Sequence, residues 1–128
     1  MDVKTCYGSI PRFIAAYHPM AIDPLDGNHV FVIDNGALLE SHDSCETTEA
    51  FGTAPNTSMN SIAFDLNNPD TIYAGTDGGA YISYDSGQTW GQANDGLLGA
   101  TVVYSIVVDK DSNVYAATPY GIFKLEQK

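Results

Sequence analysis

The groups in this chain that could do chemistry are sixteen carboxylates, three histidines, two cysteines and a lone arginine, Arg12. Asp109-Lys110-Asp111-Ser112-Asn113 starts like a calcium loop, in which side-chain oxygens at alternate positions gather around a hard cation. The glycine that such a loop needs next is replaced by Val114, and its twelfth position holds Tyr120 in place of a bidentate Glu. The segment therefore reads as a turn between strands. His18, His29 and His42 have no metal-ligand spacing and read as surface or packing residues. No Ser-His-Asp or Cys-His set stands out, and no glycine-rich phosphate loop opens a helix. No catalytic residue, metal site or cofactor is expected. Cys6 and Cys45 allow one disulfide in an oxidising compartment, but two cysteines alone do not fix it. Asn56-Thr57-Ser58 has the pattern of a glycosylation sequon.

The clearest spacing is structural. Ser83-Tyr84-Asp85-Ser86-Gly87-Gln88-Thr89-Trp90 reads S-x-D-x-G-x-T-W and closes a unit that begins at Ser61. A shift of 42 residues lays that unit over its neighbours. Val30-Phe31-Val32-Ile33 falls under Ile72-Tyr73-Ala74-Gly75, and the segment 41–48 falls under the motif, keeping Ser41, Asp43 and Thr47. In the other direction Val114-Tyr115-Ala116-Ala117-Thr118 lines up with 72–76, whereas Ser105–Asp109 matches Ser61–Asp65 at a shift of 44. Internal similarity at a fixed period is the mark of a repeat protein. Three units result, at about 19–60, 61–104 and 105–128, the last without its own motif. Residues 1–18 precede them as an N-terminal strand or loop.

Elements that position these residues follow from the same unit. Ser61–Asp65 and Thr71–Gly75 are short runs rich in β-branched and aromatic residues, as strands are. Asn67-Asn68-Pro69-Asp70 reads as the turn between them. Asp77-Gly78-Gly79 offers the positive-φ positions of a tight hairpin. Ala80–Tyr84 and Thr89–Gln92 read as the third and fourth strands. Four antiparallel strands in about 42 residues is the spacing of a β-propeller blade. The fold class expected is all-β, with about two and a half to three four-stranded blades.

With S-x-D-x-G-x-T-W preceded by D-x-x-N-P-x-x-I-Y-A-G-T, the chain resembles the Asp-box (BNR) repeat. That repeat occurs in sialidases, xyloglucan-degrading endoglucanases, sortilin-type receptors and photosystem II assembly-factor propellers. The resemblance implies a fold more than a function, because those families share the box and differ in activity. Within the box, Asp85 is suited to accept backbone hydrogen bonds across the turn, with Ser83 and Thr89 adding hydroxyl bonds. Gly87 suits a φ that a side chain opposes. Trp90 offers an apolar face to the next blade. In the resembling families the box lies on the face opposite the active site. Sialidase chemistry needs several arginines to clamp a carboxylate, and a single Arg12 does not supply them. Endoglucanase chemistry needs two carboxylates across a cleft, which the resembling enzymes build between two whole propellers. The resemblance also favours an extracellular or periplasmic setting, although Met1–Cys6 lacks the apolar stretch of a signal peptide.

A formal charge of −11 opposes nucleic acid and anionic membrane surfaces. No apolar run of about 18 residues suggests membrane insertion. In a propeller, the turns between second and third strands share a rim with the connections between blades. Asp34, Asp77 and Tyr120 sit in those turns and are the expected ligand face, for a carbohydrate or a protein. Three units do not close a ring of four to eight blades. The remaining blades would come from a longer chain or, next in order, from a homodimer, with docking onto a partner last. In the homodimer, Asp2–Tyr7 would supply the missing outer strand.

Overall fold

Alternating burial along short strands builds three separate antiparallel sheets. The computed structural model describes residues 19–55, 57–93 and 101–125. The first sheet contains β1 (Met20–Asp23), β2 (Asp26–Asp34), β3 (Ala37–Ser41) and β4 (Glu49–Ala50), in that spatial order. The second repeats the plan with β5 (Met59–Asp65), β6 (Asn68–Thr76), β7 (Gly79–Ser83) and β8 (Gly91–Gln92). The third has β9 (Ser105–Val108), β10 (Val114–Thr118) and β11 (Gly121–Leu125). No helix occurs among the described residues.

Turn chemistry sets the registers. Asn35 and Gly36 both take positive φ, 49° and 80°, which suits a two-residue hairpin and pairs Asp34 with Ala37. The second and third sheets use another device at the same place. Thr76 Oγ1 accepts from Gly78 N and donates to Gly79 O, and Thr118 does the same for Tyr120 and Gly121. Positive φ then falls on Gly79 and Gly121 alone.

The other hairpin differs from the sequence reading. The turn expected at 67–70 is formed by Leu66 and Asn67, and Asn68-Pro69-Asp70 extend β6. The reason is Asp65, whose carboxylate accepts from Asn67 N at 2.9 Å and reverses the chain early. Asp23 does the same for Leu25, and Asp109 for Asp111 and Asn113. The 109–113 segment is therefore a turn in which Asp109 is occupied by its own backbone. The third strand starts and ends one residue before the expected 80–84, and the fourth is shorter than the expected 89–92, since Tyr84 and Thr89 belong to the box turn.

Two apolar layers join the sheets. Phe31, Ile33 and Leu38 of the first pack against Met59, Ile62, Phe64, Ile72 and Ala74 of the second. Tyr73, Ala80 and Ile82, on the second sheet's other face, pack against Ile106, Val114, Ala116 and Leu125 of the third. Each large side chain so buried stabilises by roughly 1.5–3 kcal/mol relative to exposure. The proposed N-terminal strand or loop, the Asp2–Tyr7 clasp, Cys6, Arg12, His18, Asn56 and the 94–100 connection lie outside the described residues.

Candidate functional site

The two box turns carry the same hydrogen bonds. In the second, Ser83 Oγ donates to Asp85 Oδ1 at 2.8 Å and accepts from Gly87 N at 2.8 Å. Asp85 accepts from Thr89 N at 2.8 Å and from Thr89 Oγ1 at 2.6 Å. In the first, Ser41 Oγ donates to Asp43 and accepts from Cys45 N, while Asp43 accepts from Thr47 N and Thr47 Oγ1. Thr89's side chain, its backbone N–H and the Ser83 hydroxyl hold the Asp85 carboxyl below its ordinary pKa. Asp43 is lowered by the same three partners in its own turn. Both carboxylates are thus spent on holding a turn.

A second tie was not read from the sequence. Ser86 N donates to Asp70 O and Ser86 Oγ to Asp70 Oδ1, so the box folds back onto the start of β6. Ser44 meets Asn28 in the same way at the start of β2. The 42-residue shift carries Asn28 onto Asp70 and Ser44 onto Ser86, so the repeat period was the available signal.

Trp90 departs from the expectation that it serves the next blade. It packs on the layer shared with the preceding sheet, and its indole Nε1 is buried with no hydrogen-bond partner among the described residues. The Cβ that Gly87 lacks would meet Phe51 ring carbons at 3.0 and 3.1 Å. Cys45, in the equivalent place, takes φ 73° and is disulfide-bonded.

At the opposite rim, β3 begins after the turn that follows Asp34 and β7 after the turn that holds Asp77, and both strands end at the boxes. Asp77 Oδ1 accepts from Asn60 Nδ2, which also donates to Val103 O. This carboxylate therefore helps tie the second sheet to the segment leading into the third. Asp34, the last residue of β2, is half-buried, and Tyr120 is exposed in the third sheet's turn.

Side chains that the sequence reading kept apart meet on the first sheet. Phe31 pairs with Glu40 across β2 and β3, so the same register sets His29 opposite His42. Their rings stack at 4.5 Å, with planes 5° apart. His29 Nε2 lies 3.0 Å from Glu40 Oε2, and His42 Nε2 lies 3.2 Å from that same oxygen. His29 Nδ1 lies 3.1 Å from Asp23 Oδ2 on β1. Burial pulls the His29 pKa down, but hydrogen bonds to Asp23 and Glu40 and their charges outweigh it, so the value is raised. Counting outward from Asn35-Gly36 as a two-residue hairpin would have paired residues 29 and 42.

No protein-family model matches the chain, and no curated protein matches it. Solved structures do. An ancestral GH74 enzyme is 24% identical with a TM-score of 0.64, over 83% of this chain and 16% of that one. A GH74 enzyme from Niastella koreensis is 22% identical with a TM-score of 0.62, over 84% of this chain and 20% of that one. YCF48 bound to D1 peptide is 21% identical with a TM-score of 0.64, over 90% and 39%. The chain spans 16% to 39% of the length of these structures. Its fold is all-β, an antiparallel β-propeller segment of about three blades.

Proposed function

We propose that the chain is an Asp-box repeat segment of a larger propeller, working as a non-catalytic binding or scaffold module. The observation that carries this reading is the outer face of the third blade. Val107, Tyr115 and Lys124 form one cross-strand row on it, and Ser105, Ala117 and Ile122 form another. Val107 is 57% exposed and Ile122 is 78% exposed. The equivalent rows of the second blade are Ala63-Tyr73-Ile82 and Ser61-Gly75-Ala80, and these carry its contacts with the third. An apolar sheet face of this kind is a seat for another blade. The box carboxylates, consumed by their turns, support a structural role for both boxes.

The test is the protein with its flanking coding sequence, beside this chain alone, by light scattering after size exclusion. In the longer protein, Ile122→Asp should lower the melting temperature sharply because a charge replaces a buried apolar contact. An unchanged melting temperature would show that nothing covers this face. For this chain alone, a species of twice 13.7 kDa supports ring completion by a second copy, and a soluble monomer rejects it.

Asp34, Asp77 and Tyr120 remain the proposed ligand face, for a carbohydrate or a protein. Substituting Asp34→Asn with Asp77→Asn should abolish binding to a responsive glycan or peptide, and undiminished binding discards the assignment. A second reading is a piece of a glycoside hydrolase inactive by itself, supported by the likeness to GH74 enzymes. Xyloglucan hydrolysis by the longer protein would favour it.

A further inference from the structure

From the geometry of the first blade we infer that His29, Glu40 and His42 form a binding site for one divalent transition cation of the zinc class. The three ligand atoms lie within 4.8 Å of one another. Metal–ligand bonds of about 2.0–2.2 Å at tetrahedral angles place neighbouring ligand atoms about 3.3–3.6 Å apart. The separations from Glu40 Oε2, 3.0 Å to His29 Nε2 and 3.2 Å to His42 Nε2, need only a small expansion to admit the ion. Two imidazoles and a carboxylate are a zinc donor set that leaves a fourth position for water or another ligand.

A second observation fixes the histidine. Asp23 Oδ2 stands 3.1 Å from His29 Nδ1, so when a metal displaces the proton that Nε2 shares with Glu40, the proton on Nδ1 still donates to Asp23 and holds the ring. Carboxylate–histidine–metal arrays are built this way, the outer carboxylate setting tautomer and ring orientation. The repeat does not require these residues. Second-blade positions equivalent to 29, 40 and 42 hold Thr71, Ile82 and Tyr84, which pack or turn without a donor set. Access is also graded. The side chains of His29 and Glu40 are 15% exposed, whereas His42 is 59% exposed. With the rings stacked, the two lone pairs run side by side. Rotation of the exposed His42 side chain brings its Nε2 onto the ion, at the loss of its stacking on His29.

The chain is to be titrated with zinc chloride at neutral pH by calorimetry, after stripping with a chelator. One equivalent should bind, raise the melting temperature and be removed by the chelator. Magnesium and calcium, which prefer oxygen ligands, should not compete. His42→Ala and Glu40→Gln should each lower affinity by about 100-fold or more, and Asp23→Asn by about 10- to 100-fold. In the unsubstituted, 15N-labelled chain, zinc should move the Nε2 resonances of His29 and His42 and leave the His29 Nδ1 proton in place. This spectrum needs no variant to fold. Absence of binding, binding that survives His42→Ala with Glu40→Gln, or resonance shifts confined to His18 would each overturn the site. Equal binding of calcium would also overturn it, because it marks attraction to acidic surface alone.

Discussion

Cys45 and Gly87 occupy the same place in two copies of one turn, at φ 73° and 89°. Around them the Ser-Asp-Thr hydrogen bonds agree to about a tenth of an ångström. Surroundings make the difference. Gly87 lies against Phe51, which follows the outer strand of the preceding blade, and Trp90 closes over the same layer. At the Trp90 position the first box has Thr48, and at the Gly87 position it has a disulfide-bonded cysteine. The comparison teaches that Ser, Asp and Thr make the turn. Glycine and tryptophan fit it to a neighbouring blade.

Gly87→Ala strikes hardest at that distinction. It combines a left-handed φ with a ring contact at 3.0 Å, and should cost about 2 kcal/mol or more by chemical denaturation. In a Phe51→Ala background the same substitution should cost about half as much, since only the φ penalty remains. An equal cost in both backgrounds would show that Phe51 has no part in the choice of glycine.

Asp85→Ala and Asp43→Ala test the shared half of the comparison. Each removes the acceptor of one N–H and two hydroxyls, at an exposed turn where water replaces part of the loss. Each should lower the melting temperature by about 5 °C. A clear inequality between them would break the equivalence of the two boxes. Acid should act through the same pair. Both carboxyls have pKa values lowered by folding, so their contribution is present above the unfolded value and is lost as pH falls through the folded one. Melting temperature should drop below about pH 4, and the Asp43→Ala/Asp85→Ala double variant should show a shallower drop.

Smaller effects sharpen the contrast. With the disulfide reduced, Cys45→Gly should gain about 1 kcal/mol by relieving a left-handed non-glycine residue. The gain would vanish if cysteine packing offsets the backbone strain. Trp90→Phe removes an indole N–H that has no partner among the described residues, which offsets the packing lost with the smaller ring. It should change stability by less than about 0.5 kcal/mol. A larger loss would mean that the N–H is satisfied in solution.

The period, the strands and both boxes were legible because their determinants are close in sequence. Ser83, Asp85 and Thr89 span seven residues, and their bonds run between positions two and four apart. The 66–67 turn was misplaced because Asn68 and Pro69 are turn residues by composition, while the deciding bond comes from Asp65. The 42-residue period, the strand alternation and the Ser-Asp-Thr turns are therefore what the chain's order determines by itself. Tertiary structure alone decided which way Trp90 faces and what Gly87 must avoid, because both depend on Phe51 in another blade. Tertiary structure also brought Asp23 of β1 and His29 of β2 to Glu40 of β3 and to His42 just beyond it. A one-residue slip in register would turn the His29 face to the other side of the sheet. Sequence spacing along one strand therefore carries no trace of the cluster, and the Asn35-Gly36 turn that sets the register creates it.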